Sequence, residues 1–542
     1  MLHLSLSGLA DESGWQSAGV ELPQFDIGQM VRNTEENPQW IHFGLGQIFR
    51  AFVANCQQKL LDTGKADTGI VAVVPHDMES IDKIYKPHDQ LTLLVQMNAN
   101  GDFQKKVVAS IAEVLGADPQ REQDDRRLAE IFEHPGLQMV SFTITEKGYS
   151  LTGADGEYLD SVRKDMANGP ERPEHLMSKI ASLAYRRYLA GAYPLTFVSM
   201  DNCSHNGDKL MSSIVTIAKE WAEKGWVEPN FLTYLEDESR VAFPLTMIDK
   251  ITPRPSEKIK HQLEQLGIAG MDMIGGGGRS FNAPFVNAES SGYLVIEDKF
   301  AGGRPPLEEA GVIFTDRDTV IKVETMKVTT CLNPLHTALA VTGCLLGYSL
   351  IADEMKDDTL RRLVEKIGYD EGLPVVVDPG ILNPRAFLDT VLQERFPNPF
   401  IPDTPQRIAA DTSQKVGIRF GETIKSYRDR KDLDPAELTG IPLAIAAWCR
   451  YLLGVDDEGK PMRISPDPLL EMLQKHLSGT TLGAKTSSVR GILEEERLFG
   501  VRLYEVGLGE KIEGLFHEML EGPGAVRRTL EKYLKKGVNP VQ

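Results

Sequence analysis

At 542 residues the chain is long enough for two to four domains of roughly 150 residues each. Its 41% apolar and 25% charged residues exclude a disordered or fibrous protein. Its net charge of −19 argues against a nucleic-acid or anionic-membrane partner, since phosphate attraction needs clustered positive charge. The five scattered cysteines, Cys56, Cys203, Cys331, Cys344 and Cys449, offer neither a disulfide framework nor a CxxC pair. The N-terminal MLHLSLSGLADESGW lacks the pattern of a secretory signal. The longest apolar-leaning stretch, LHTALAVTGCLLGYSLIA, carries too many polar residues and glycines for a membrane span and reads as a buried helix. These features point to a cytoplasmic soluble protein.

Residues 1–37 are polar with little periodicity and read as an N-terminal arm. From residue 38 the pattern becomes α/β. IHFGLG is a short apolar strand running into glycines, and QIFRAFVANCQQKLLD has helical spacing. TGIVAVVP, QLTLLVQM, FQKKVVASI, LQMVSFTIT and LTFVSM read as further strands, with helices at DDRRLAEIFE and HLMSKIASLAYRRYLA. This alternation predicts a mostly parallel, doubly wound sheet, a Rossmann-like domain over residues 38–315. Pro255–Gly292, with GGGG at Gly275–Gly278, reads as a long irregular insertion. Residues 316–542 read as a mostly α-helical domain, with helices at PLHTALAVTGCLLGYSLIADEM, DDTLRRLVEKIG, PRAFLDTVLQERF, IPLAIAAWCRYLLG, EKIEGLFHEML and AVRRTLEKYLKK.

Two constellations carry chemistry. Gly44 and Gly46 stand between a strand and a helix, where the first glycine permits a tight turn and the second admits a pyrophosphate to the helix N-terminus. The third glycine of GxGxxG is replaced by Phe49, so the motif taken alone favours a plain strand–helix turn over cofactor binding. Asp77 follows the next strand and could bind an adenosine ribose, favouring NAD over NADP; otherwise it is a solvated loop acid. In ETMKVTTCLNPLHTALAVTGCLLGY, Lys327, Asn333 and His336 sit in an apolar region. A lysine there can serve as a base and an asparagine as an oxyanion donor. The alternative is a snorkelling lysine, a helix cap before Pro334 and a hydrogen-bonded core histidine.

The segments HFGLGQIFRAF, TITEKGY (143–149), VSMDNCSHNG (198–207), FPLTMIDKITP (243–253) and VIEDKFAGGRPPLEEAGV (295–312) follow one another in the chain. After them come ETMK…LNPLH (324–336), RFPNPFIPDTPQRIAADTSQKVGIRF (395–420) and IPLAIAAWCRYLLG (441–454). In this order the chain resembles the long-chain polyol and hexuronate dehydrogenases, the family of mannitol 2-dehydrogenase and fructuronate reductase. The resemblance implies a metal-independent, NAD-dependent enzyme with Lys327 as general acid/base. It implies that Asn202 and Asn333 hydrogen-bond the reacting oxygen and that His336 holds substrate. Glu146, Asp249, Arg407 and Lys415 match polar positions near the pocket, and Gly44 and Gly46 match the cofactor turn. The expected reaction interconverts D-fructuronate and D-mannonate. Fructose/mannitol or tagaturonate chemistry is the alternative within the class, and a non-catalytic dinucleotide sensor the alternative outside it.

Secondary-alcohol oxidation needs a group to take the hydroxyl proton while hydride leaves carbon. Neither the cysteines nor the eleven histidines show a metal-ligand spacing, so a lysine is the economical base. The spacing from Lys327 to Asn333 is one residue longer than is usual in the family. On a regular helix, nine residues would put His336 about 180° from Lys327. A π-bulge, or a break with Pro334 opening a new helix, is therefore expected between them.

Overall fold

The computed structural model describes residues 1–98, 101–275, 282–484 and 488–535; Gly276–Gly278 of the glycine run lie outside the described residues. The chain divides into two compact units, one of Met1–Met97 with Asp102–Val320 and one built on Ile321–Gln542.

The centre of the first unit is a six-stranded, all-parallel sheet. Its strands are β1 (Trp40–Phe43), β2 (Ile70–Val74), β3 (Ile111–Gly116), β4 (Met139–Phe142), β5 (Leu195–Ser199) and β6 (Val241–Ala242). The spatial order is 3-2-1-4-5-6, with Phe43 beside Phe142 where the order reverses between β1 and β4. Every residue of β1, β2, β4 and β5 is buried, as a sheet covered on both faces requires.

Three expectations about this unit need correction. Thr92–Met97 and Phe103–Val108 do not join the parallel sheet; they form an antiparallel hairpin in a second sheet with Phe285–Glu289 and Val20–Glu21. The five residues between them are too few for a parallel return, which needs a crossover of about a dozen or more. The true third parallel strand is Ile111–Gly116, which begins where the expected strand FQKKVVASI ends. Pro255–Gly292 is also more regular than expected. It holds a helix, Glu257–Gln265, capped by Ser256, with only Ile259 and Leu263 buried, too sparse a pattern to read. The strands Ile268–Ala269 and Phe285–Glu289 follow it.

The N-terminal 37 residues likewise carry real structure. Asp11 and Asp26 cap the helices Glu12–Ser17 and Ile27–Glu36, and Trp15 and Met30 are buried. Leu2–His3 pairs with Ile268–Ala269.

The second unit is helical, as expected. Its core gathers Asn333–Leu346, Asp358–Glu365, Gly440–Tyr451, Gly509–Leu520 and Ala525–Leu534. Four of its helical segments contain wide π turns: Met326–Cys331, Lys366–Gly372, Val391–Arg395 and Gly417–Gly421. The helix Gly440–Tyr451 is buried along its whole length, so its N-terminal amides cannot be left to water. Glu371 meets the need: its carboxylate accepts from the amides of Thr439 (2.6 Å), Gly440 (2.6 Å) and Ile441 (2.8 Å). Glu371→Ala should destabilise the protein by about 2–3 kcal/mol, the worth of charged hydrogen bonds at a helix N-terminus, with Glu371→Gln in between. Urea denaturation of the three proteins measures it.

Candidate active site

Where β1 ends, Gly44 turns the chain at φ +112°, and a Cβ there would lie 2.2 Å from the carbonyl oxygen of Thr143. Only glycine fits. The amide of Gly44 donates to Val73 (2.9 Å), and the Thr143 hydroxyl donates to the Gly44 carbonyl (3.1 Å), tying the turn to β2 and to the end of β4. A Cβ on Gly46 would meet nothing within 4 Å, so its backbone faces open space. Phe49, in place of a third glycine, is buried and stacks on His42 with ring centroids 3.9 Å apart.

Gly44, Gly46 and Asp77 line one cavity of about 340 Å³ with Thr143 and Thr145, at the C-terminal ends of β1, β2 and β4. A crevice where strand order reverses is where open α/β sheets bind dinucleotides, and the bare backbone at Gly46 suits a pyrophosphate. The residues present therefore fit a dinucleotide.

The wall formed by the residues after β4 is strained. Thr145 has φ 65° and ψ 159°, a region that essentially only glycine occupies and that costs about 1–3 kcal/mol. Asp201, which the sequence reading passed over, holds it there. Its carboxylate accepts from the amides of Ile144 (2.8 Å) and Thr145 (3.0 Å) and from the Tyr149 hydroxyl (2.6 Å). Burial lifts the Asp201 carboxyl above the usual range, while these three donors pull it back.

Asn202 follows directly, exposed on the turn after β5. Asn206 anchors that turn: its side-chain amide donates to the Asp201 carbonyl (2.9 Å) and to the Thr246 hydroxyl (2.8 Å). Glu146 does not line the glycine cavity. It pairs with Lys209 on the rim of a separate groove of about 590 Å³. Asp249 is buried at the end of the strand Thr246–Asp249, opposite Tyr293, and lines neither space.

In the second unit, the expected irregularity between Lys327 and Pro334 is present as a π turn followed by a break, and the cap of the new helix is Leu332 where Asn333 was the expected cap. Met326–Cys331 is a π turn, with the Leu332 amide bonded to the Lys327 carbonyl at 3.1 Å, and Leu332 then leaves helical geometry at φ −132°. Asn333 and Pro334 open the next helix. The regular-helix phase that would oppose Lys327 and His336 is thereby abolished. Lys327 is buried, while Asn333 and His336 are half-buried.

His336 is the centre of a charged cluster. Its Nε2 lies 3.0 Å from Asp403 Oδ2, and its ring stacks on Phe396 at 5.1 Å. Asp403 also pairs with Arg407. Burial, then the nearby charges of Arg419, Arg407, Arg395 and Lys415, push the imidazole down to about 3, so it is neutral at physiological pH. Burial also lowers Arg407 and Lys415, and brings Arg419 down to about 10, still cationic at neutral pH. Arg419 donates to the Thr337 hydroxyl (2.5 Å) and Lys415 to the Ala410 carbonyl. His336, Arg407 and Lys415 were legible in the sequence. Arg395 and Arg419, at the two ends of the RFPNP…GIRF stretch, were missed, because nothing in their spacing distinguishes them from surface arginines.

A six-stranded 3-2-1-4-5-6 sheet with a glycine turn at its reversal defines a dinucleotide-binding protein of the dehydrogenase type. Residues 38–309 match the mannitol dehydrogenase Rossmann domain and residues 319–518 the mannitol dehydrogenase C-terminal domain. The chain is 54% identical to the D-mannonate oxidoreductase of Thermotoga maritima, over 98% of this chain and 99% of that one. It is 30% identical to the polyol:NADP oxidoreductase of Gluconobacter oxydans, over 85% of this chain and 88% of the relative. Among solved structures, D-sorbitol dehydrogenase in its substrate-free form superposes with a TM-score of 0.78 at 26% identity, covering 95% of this chain and 98% of that one. The ternary complex of Pseudomonas fluorescens mannitol 2-dehydrogenase with NAD and D-mannitol superposes with a TM-score of 0.70 at 27% identity, covering 99% and 100%. The chain belongs to the mannitol dehydrogenase family and is an oxidoreductase. Among the described residues no helix is long and apolar enough to cross a membrane.

The glycine cavity makes a direct prediction. Gly44→Ala should abolish measurable NADH binding in a fluorescence titration, because the new Cβ meets a backbone carbonyl that cannot move without shifting β4. Gly46→Ala, whose Cβ enters open space, should leave the fold intact and weaken binding only by crowding the ligand.

Proposed function

We propose that the chain is an NAD-dependent dehydrogenase interconverting D-mannonate and D-fructuronate, with residues 38–315 holding the dinucleotide and residues 316–542 supplying the proton-transfer and substrate groups. The observation that carries the substrate class is the placing of Arg407, paired with Asp403 beside His336, and of Arg419, bonded to Thr337, with Arg395 and Lys415 near enough to act on the charge of His336. An uncharged polyol gives no reason to collect four cations, whereas a hexonate or hexuronate carboxylate does. The 54% identity to a D-mannonate oxidoreductase supports the same assignment.

When bound, NAD accepts or returns the hydride at the alcohol carbon. Gly44 and Gly46 supply the backbone surface for the pyrophosphate, and Asp77 accepts from the adenosine ribose hydroxyls, disfavouring a 2′-phosphate. Lys327 takes the hydroxyl proton during oxidation and returns it to the forming alkoxide during reduction. Asn202 and Asn333 donate hydrogen bonds to that oxygen, an effect on the order of a few kcal/mol per donor. Neutral His336, whose buried Nε2 has no hydrogen-bond partner among the described residues, hydrogen-bonds a substrate hydroxyl, while Arg407 and Lys415 take the carboxylate. Glu146, on the rim of the separate groove, and Asp249, which lines neither described cavity of their unit, complete the set of polar positions given by the family resemblance.

Lys327→Ala should lower single-turnover hydride transfer by about 10²–10⁴-fold, the usual range for general acid/base groups, with NADH affinity retained. Near-normal turnover would remove Lys327 from the reaction. Arg407→Ala should raise KM for D-fructuronate about 10–100-fold, the cost of one charge-assisted hydrogen bond, with little change for fructose. Equal losses on both ketoses would favour a mannitol-type substrate.

A further inference from the structure

The strained Thr145 and the carboxylate that restrains it lie outside every role assigned above. Thr145 has no local reason to adopt φ 65°, ψ 159°: it is β-branched, and that region suits glycine. What opposes relaxation is the two-oxygen grip of Asp201, one oxygen on the Thr145 amide and the other on the Ile144 amide and the Tyr149 hydroxyl. Tyr149 is itself buried and held by the Ser199 hydroxyl at 2.7 Å. On its other side the Asp201 carbonyl is taken by the Cys203 amide (2.9 Å) and by Asn206, which fixes the turn carrying Asn202. One residue thus joins two loops: the one after β4, which walls the glycine cavity, and the one after β5. The loop after β4 stands on the far side of the strand-order reversal from β2 and Asp77, so it belongs to the nicotinamide half of a bound dinucleotide.

We propose that Asp201 is a positioning residue, a clamp that holds Thr145 in a glycine-type conformation so that the cofactor wall and the Asn202 turn keep a fixed separation. The inference rests on the reading of the first unit as an NAD site. Asp201 does not line the glycine cavity, and it acts through the Thr145 backbone.

The chemistry of the clamp supplies its test. In Asp201→Asn one acceptor oxygen becomes an NH₂ group facing an amide N–H, so one grip is lost and Thr145 relaxes. Glycine at 145 can hold the same backbone angles without a clamp, whereas alanine cannot. Asp201→Asn should therefore raise the Kd for NADH by tenfold or more while its melting temperature stays within a few degrees of wild type. Tyr149→Phe, which removes one donor, should give a smaller rise. Thr145→Gly alone should bind within about threefold of wild type. In the Asp201→Asn background, Thr145→Gly should restore most of the lost affinity and Thr145→Ala should restore none. A carboxylate of purely structural importance gives no such selective rescue. Wild-type affinity in Asp201→Asn, or equal behaviour of the glycine and alanine double variants, would overturn the clamp. Because the titration needs no substrate, the pattern stands even if the protein fails to turn over D-fructuronate, which would overturn the substrate reading instead.

Discussion

The nucleotide half of this protein depends on a series of buried hydrogen bonds between β1 and β4. Trp40 Nε1 can only donate, and it donates to the Ser141 hydroxyl at 2.7 Å. Ser141 lies 2.7 Å from His42 Nδ1 and Thr143 lies 2.9 Å from His42 Nε2, and the Thr143 hydroxyl donates to the Gly44 carbonyl, so the series ends on the glycine turn. Burial holds His42 neutral, down to about 3. The close approach of Gly44 to Thr143, and with it the cavity, follows from this fixed spacing of the two strands.

In the helical unit the corresponding device is the π turn. Lys327, Arg395 and Arg419 lie in three different ones, Met326–Cys331, Val391–Arg395 and Gly417–Gly421. Gly417–Gly421 runs on into the helix Glu422–Asp429, whereas Met326–Cys331 ends at the break at Leu332 and Val391–Arg395 closes its helix; π turns are frequent at functional sites. The turns also interlock: the Thr423 hydroxyl, one turn beyond Gly417–Gly421, donates to the Thr329 carbonyl within Met326–Cys331 at 3.4 Å.

These two devices explain which parts were legible in the sequence. The buried strands announce themselves as apolar runs, and the helices of the second unit as 3.6-residue periods, because burial on both faces or along one stripe dictates composition directly. The irregularity after Lys327 was readable too, from a one-residue excess and a proline. The hairpin of Thr92–Met97 and Phe103–Val108 was misassigned because strand pattern alone does not say which sheet a strand joins; the five-residue link did. Ile111–Gly116 was hidden by its continuity with the preceding apolar run. Asp201 was invisible for a different reason. Its importance lies in the φ of Thr145, and a threonine in a glycine conformation leaves no mark in composition or spacing. Arg395 and Arg419 were missed because they lie in segments well separated in sequence from His336, and only the fold brings their charge to bear on it.

The electrostatics of the helical unit sharpen the point. The chain as a whole carries −19, yet four cations, Arg395, Arg407, Lys415 and Arg419, act on His336, with Asp403 3.0 Å from its Nε2 and paired with Arg407. Burial, then repulsion by Arg419 and Arg407, lowers Lys415, and the carboxylates of Asp411 and Asp467 oppose them. At physiological ionic strength charges more than about 8 Å apart are largely screened at the surface, so the balance is set by these neighbours and not by the net charge of the chain. An anion that reached the cations would add to the compensation that the three carboxylates give. Any carboxylate-bearing ligand that docks here binds and stabilises through the same interaction, and an uncharged ligand of the same shape gains neither.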